Sequence, residues 1–199
     1  MDGGMETGLL DAFDTAWRLL VRAAADRRSP MHTPVVATIA DGAPDARVMV
    51  LRAADRAAAS LRFHTDARSP KCTGLDGMPV TVLAYHPGEA VQLRIGGTAR
   101  IDRDSPAADA IWAQATPFAR RCYMVGAAPG TPLAVAGSGL PAWVEGRKPA
   151  EAELVPARPN FALVHIDIAR IDWLHLAQAG HARAVFCAAD GWAGEWCVP

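Results

Sequence analysis

The chain lacks a long apolar run, a charge imbalance, paired cysteines and nucleotide-loop glycines, and each shortage removes a class of function. No stretch reaches the roughly 18 apolar residues of a membrane-spanning helix. Lys and Arg number 20 against 21 Asp and Glu, a formal net charge of -1. That balance supplies no broad basic surface for nucleic acid, although a local cationic pocket remains open. The opening residues, MDGGMETGLLDAF, carry early acids and no basic start before an apolar stretch, so no secretory leader is expected. The four cysteines (Cys72, Cys122, Cys187 and Cys197) are widely spaced and form no CxxC pair. This is not a disulfide-dense scaffold; buried thiols in a reducing cytoplasm are the better reading. GxGxxG and GxxxxGK are absent, as is strand–helix alternation of the dinucleotide-binding kind.

What is present is a chain able to build a core. Hydrophobic residues make up 51% and charged residues 21% of 199, enough for a single domain over 1–199. Leu9, Phe13, Ala16, Trp17 and Leu20 recur at three- and four-residue intervals and predict an amphipathic helix over 9–28, ended by Ser29-Pro30. VVATIA (35–40) reads as a strand, DGAPDA as a turn, and RVMVLR (47–52) and SLRFHT (60–65) as two more strands. VTVLAYH (80–86) and AVQLRIGGTARI (90–101) flank the hairpin connection His86-Pro87-Gly88-Glu89. Gly96-Gly97 inside the second of these marks a bulge or a close approach. Ser105 and Pro106 start a helix over 105–115, and ARRCYMVGA (119–127) continues as helix. Residues 128–160, rich in Pro and Gly, form an excursion over the surface. FALVHIDIARIDWLHL (161–176) reads as a strand pair, and HARAVFCAA (181–189) as a further strand. The fold class is mostly β with peripheral helices (α+β), one antiparallel sheet rolled into a barrel.

The densest chemistry lies between residues 47 and 71. Arg47, Arg52 and Lys71 are cations, and Thr65 and Ser69 add hydroxyls, which together suit a bound phosphate. Ordinary solvent-facing charges near strand ends remain the alternative on spacing alone. Lys71 beside Cys72 is the one place where a lowered thiol pKa is worth asking about. His64 with Asp66, and His165 with Asp167, share strand faces, but spacing supplies no third metal ligand, so no metal is expected. Trp143 in GLPAWVEG is a loop tryptophan able to cover a ligand or mark an interface.

The order of these blocks resembles the pyridoxamine 5'-phosphate oxidase family, the FMN-binding split β-barrels. The match starts at VVATIADGAPDARVMVLR (35–52) and continues through FHTDARSPK (63–71), the strand pair with Gln92, and RIDWLHL (170–176) through HAR (181–183) to the tail. It is poor across 103–160. The resemblance implies FMN, with Arg47, Ser69 and Lys71 on its phosphate and Arg52 near the ring. It implies His64 and Thr65 beside the ring edge, Gln92 bonding the flavin from the second subunit, and Arg183 and Trp173 on the flavin side. It also implies a homodimer with FMN at the interface. Departures are present as well. Pro70 stands where a second basic residue is usual, and Trp173 precedes Leu174 where the tryptophan normally comes second. IWAQATPF (111–118) has neither the tyrosine nor the arginine that hold the substrate's phosphate. Arg120, Arg121 and Tyr123 lie just beyond.

Together these imply an FMN-dependent oxidoreductase acting on a small molecule, with Arg52 and His181 as catalytic candidates for charge stabilisation and proton exchange. The alternative is a non-catalytic or low-turnover flavin-binding protein serving storage or sensing. A haem-binding version of the fold is disfavoured by Arg47, Ser69 and Lys71, because haem has no phosphate to grip.

Overall fold

The computed structural model describes residues 3–40 and 42–199, with side chains from residue 8 onward. Among the described residues, the α-helices are α1 (Gly3–Ala25), α2 (Lys71–Leu75), α3 (Pro106–Gln114), α4 (Pro117–Arg120) and α5 (Glu151–Leu154). The strands among them are β1 (Val35–Ala40), β2 (Ala43–Val48), β3 (Leu51–Asp55), β4 (Ser60–Asp66), β5 (Pro79–His86), β6 (Val91–Asp102), β7 (Phe161–His175), β8 (Ala182–Cys187) and β9 (Glu195–Cys197). They form one sheet in the order β2-β1-β5-β6-β7-β4-β3, with β8 pairing β7 and β9 pairing β8. Among the described residues, no helix is long and apolar enough to cross a membrane.

The chain packs as two compact units, the first of residues 1–63, 77–100 and 165–199, the second of 64–76 and 101–164. In the first unit the hairpin at 86–89 joins β5 to β6 with His86 opposite Val91. Strict alternation then sorts the side chains. Val82 faces Ile95 and Ala84 faces Leu93 on the buried side, while Leu83 faces Arg94 and Tyr85 faces Gln92 on the other. Helix α1 packs against β3 and β8. Its Phe13 ring lies 4.9 Å from Phe186 and 5.7 Å from Trp192, and Trp17 is 2% exposed. The helix ends at Ala25 rather than residue 28, and a 3-10 turn starts at Pro30.

Gly97 answers to close approach. A Cβ there would stand 2.3 Å from the Asp167 carbonyl oxygen. RVMVLR, however, is not one strand. β2 ends at Val48 and β3 starts at Leu51: the first pairs β1 and the second pairs β4, and the Met49 N–H, donating to the Pro34 carbonyl at 3.0 Å, is the last step of the β1–β2 register. The turn expected over 41–46 is likewise mostly strand, with Ala43–Val48 pairing β1 in register from Ala40↔Ala43 to Val35↔Val48.

The second unit has a small core of Ala108, Trp112, Leu154, Ala157, Phe161 and Leu163. Tyr123 and Trp112 pack edge-on at 5.7 Å, and Tyr123 and Phe161 at 5.1 Å. Ser105 caps α3, its hydroxyl accepting from the Ala108 N–H at 3.1 Å, with Pro106 in the first turn. Helix after 116 is brief: α4 gives way to a 3-10 turn over Arg121–Met124. The Pro/Gly-rich excursion includes α5 and a 3-10 segment over Val155–Asn160. Residues 161–175 are one long strand rather than a strand pair.

Candidate functional site

In the first unit, Arg47 sits opposite Val36, and Val36 opposite Val82, so it belongs to the buried side of β2-β1-β5. Its guanidinium pairs with Asp45 and donates to the Thr38 hydroxyl at 2.8 Å and the Val36 carbonyl at 3.2 Å. An anion there competes with a carboxylate already in place. Arg52 is exposed on β3, at the irregularity where the register shifts between Leu51 and Ala53. The two arginines thus stand on different strands at opposite ends of the sheet order.

Gln92 and Arg94 share the other side of β6, with Gly96 next along. Arg94 lies 3.7 Å from Asp172 on β7. Arg183 on β8 grips the same carboxylate through two parallel bonds, Nε to Oδ1 at 3.0 Å and an Nη to Oδ2 at 2.8 Å. Arg170 adds a third contact at 3.3 Å. Asp172 is 2% exposed. Burial pushes its carboxyl up, but the hydrogen bonds from Arg183 and the charges of Arg183, Arg170 and Arg94 pull it below the ordinary carboxylate value. The Arg183 guanidinium is raised by the same pairing. Gln92 and Arg183 therefore share one side of the sheet, and Arg47 occupies the other.

Trp173 follows Asp172 and points away from it, paired with Ala184. It is buried against His175, stacked at 5.9 Å, and Trp196, edge-on at 6.3 Å. Its indole N–H is buried with no acceptor. Trp173 and Arg183 consequently face opposite sides of the β7–β8 pair. His181 is exposed just before β8.

In the second unit, Thr65 and Ser69 are 5% and 7% exposed, and the Lys71 ammonium donates to the Ser69 hydroxyl at 3.2 Å. The turn is set by Asp66. Its side chain accepts from the Arg68 N–H at 2.9 Å, and its carbonyl accepts from the Ser69 N–H at 3.0 Å. His64 packs edge-on against Phe161 at 5.0 Å. Cys72 accompanies this turn, its thiol on the Asp66 carbonyl at 3.3 Å. Burial pushes the Cys72 pKa up, and Lys71 and Arg103 offset only part of that, so the thiol is not activated. The cysteines are all free.

Arg68, which the sequence reading did not single out, pairs with Asp66 at 2.7 Å and bonds the Val125 carbonyl at 3.0 Å. It lines a cavity of about 310 Å³ with Tyr123, Trp143 and Asn160. Trp143 is 53% exposed and lies under the Arg147 guanidinium at 5.0 Å. Arg120 is 6% exposed, held by both oxygens of Glu151 at 2.7 and 2.8 Å. Among the described residues no three His, Cys, Asp or Glu side chains are grouped to hold a metal ion.

Each unit carries groups suited to a ligand. The nearly buried hydroxyls with their ammonium suit a phosphate. The buried Nε of Arg62, whose charge burial disfavours, and the Trp173 N–H are orphaned donors that call for acceptors. Arg62 and Arg94 gave no motif in the sequence, and Arg170 and Asp172 had no role assigned within RIDWLHL; the burial of Asp172 and the meeting of Arg94, Arg170 and Arg183 on it make the cluster visible.

Comparison with known proteins agrees. Residues 14–103 match the family model described as pyridoxamine 5'-phosphate oxidase, FMN-binding domain. A pyridoxamine 5'-phosphate oxidase-related, FMN-binding protein of Nostoc punctiforme PCC 73102 is 24% identical, with a TM-score of 0.72 over 94% of this chain and 96% of that one. PhzG of Burkholderia lata 383, solved in complex with tetrahydrophenazine-1-carboxylic acid, is 18% identical with a TM-score of 0.67, over 94% and 92%. A protein related to general stress protein 26 from Clostridium acetobutylicum is 12% identical with a TM-score of 0.54, over 93% and 97%. No curated protein matches the sequence. At these identities the structures establish the fold, an α+β split barrel.

Proposed function

We propose that this chain, a divergent member of the pyridoxamine 5'-phosphate oxidase-like FMN-binding family matched over residues 14–103, is an FMN-dependent oxidoreductase acting on a small molecule as a homodimer. The observation that carries the reading is the division of the flavin candidates within one sheet. Arg47 is on the Val36 side, and Gln92 and Arg183 are on the Arg94 side. The two sides of one sheet cannot both meet one small ligand, whereas two copies can bring opposite sides together. Exposed Val48, Leu83 and Tyr85, on the same side as Arg94, supply apolar surface for a second copy. Free cysteines favour a cytoplasmic location, and we treat 1–199 as one domain.

Bound FMN supplies the hydride chemistry. The chain's part is to hold and orient. Ser69, Lys71 and Arg47 take the phosphate; His64, Thr65, Gln92, Trp173 and Arg183 take the ring. Arg52 stabilises negative charge beside it, and His181 exchanges a proton with substrate. These roles rest on the resemblance. Pyridoxamine 5'-phosphate is a poor candidate substrate. Trp112 is part of a core, Arg120 is tied to Glu151, and Arg121 lies over the Phe118 ring at 4.2 Å.

The test is a spectrum and mass of the small molecule released from freshly purified protein, followed by titration with FMN and riboflavin. FMN binding that weakens more than riboflavin binding in Lys71→Ala and Arg47→Ala supports the phosphate assignment; equal losses place the phosphate elsewhere. A second reading, flavin binding with little turnover, is favoured by the Asp45–Arg47 pair, which opposes a phosphate at that guanidinium. Bound flavin that no nicotinamide donor or oxygen turns over would select it.

A further inference from the structure

We propose that Arg94, Arg170 and Arg183, gathered over the buried Asp172, form a binding site for a carboxylate or phosphate group, and that this group belongs to the substrate. The inference deepens the oxidoreductase reading, because Arg183 is also a flavin candidate.

Three guanidiniums within 3.7 Å of one carboxylate leave a formal local charge of +2. Two of them converge with Arg183 on the same oxygen, Oδ2, at 3.7 and 3.3 Å. A single carboxylate accommodates one bidentate arginine well, and Arg183 already occupies that position. Arg170 therefore has one long bond, and Arg94 stands beyond hydrogen-bond distance. Each guanidinium carries five N–H donors, so most of those on Arg94 and Arg170 are left for something else. Their side chains are 50% and 44% exposed, against 2% for Asp172. The anion the protein supplies thus lies beneath the cations, and the side open to a ligand is cationic.

The neighbouring position is kept small. A Cβ on Gly96 would stand 3.9 Å from Arg170 Cβ, so no side chain on β6 fills the space beside Arg94 and Arg170. Holding like charges together is unfavourable unless an anion offsets it. Asp172 offsets part; a bound oxyanion offsets the rest, with planar paired donors that suit either a carboxylate or a phosphate. Asp172 acts here as an anchor that fixes the direction of Arg183, leaving the two exposed arginines as the ligand's own contacts.

The test is calorimetric titration of FMN-loaded protein, at low ionic strength, with acetate and separately with inorganic phosphate. FMN occupies the other candidate phosphate position, so the titration reads the arginine cluster. In the Arg94→Gln/Arg170→Gln variant, affinity for the preferred anion is expected to fall at least about tenfold, with FMN affinity unchanged. Acetate preferred over phosphate assigns a carboxylate substrate; the reverse assigns a phosphate ester. Equal affinity in both proteins, or no binding to either, overturns the proposal. So does a variant that loses its dimer while keeping its anion affinity, which would make the cluster an interface ion site. If FMN does not bind at all, the oxidoreductase reading fails by itself. The same titrations on Lys71→Ala protein then still decide the arginine cluster.

Discussion

The two units of this chain are held by different physics. The first is a sheet face and a helix packed by aliphatic and aromatic side chains, with one buried carboxylate, Asp172, among them. The second has a smaller apolar core around Trp112 and Phe161. Ion pairs occur in both, Arg68–Asp66, Arg120–Glu151, Arg147–Glu153 and Arg158–Asp109 here and Arg18–Glu89, Arg47–Asp45 and Arg100–Asp167 in the first, but among the described residues only the first buries a carboxylate. Long strands give the first unit a non-local apolar core. Short helices and 3-10 turns give the second little continuous apolar surface, so arginines tie its segments together. The lesson is that a buried charge is the greater liability where the surroundings are apolar, and an ion pair the lesser contribution where water reaches it.

The sharpest break of that contrast is Asp172→Ala. Removing the carboxylate from three arginines is expected to cost about 3–5 kcal/mol, read as a lower urea midpoint at constant slope. In the second unit, Leu154→Ala removes a side chain only 1% exposed and should cost about 2–5 kcal/mol. Hydrogen exchange then separates the units: amides of 101–164 should lose protection before those of β5 and β6. Loss spread evenly over both would mean that the units do not open independently. Gly97→Ala should cost about 1–3 kcal/mol, because its Cβ meets a backbone carbonyl that cannot rotate away. Gly96→Ala, with its nearest atom at 3.9 Å, should cost clearly less.

Acid sharpens the comparison further. The Asp172 carboxyl is held below its unfolded value, so its contribution is complete above the ordinary carboxylate range. It declines as pH falls through that range and is gone below the depressed folded value. A plot of stability against pH should therefore have a flatter acid limb in Asp172→Asn; an unchanged limb would show that other carboxylates set it. The smallest effect is expected at Asp14→Asn. That residue's pair with Arg56 is 58% and 50% exposed, and should contribute less than about 1 kcal/mol.

Much of the sheet was legible because its signals are local. The alternation in 80–101 and the turn residues at 86–89 specify a hairpin, and Ser105-Pro106 specifies a helix start. The break inside RVMVLR was not legible, since it depends on the two halves pairing different strands, β1 and β4, that lie apart in the sequence. Asp172 was not legible either. In sequence it is one more charged residue on an alternating strand, and its partners lie on β6, β7 and β8.

The amino-acid order alone determined the strand-rich class, the hairpin, the helix cap and the likeness to FMN-binding split barrels, because period, turn chemistry and short motifs are properties of neighbouring residues. Only the tertiary structure decided which side of the sheet each arginine occupies, which of them is already engaged by a carboxylate, and that Trp173 and Arg183 face apart. Those facts follow from register and burial, which distant strands set together.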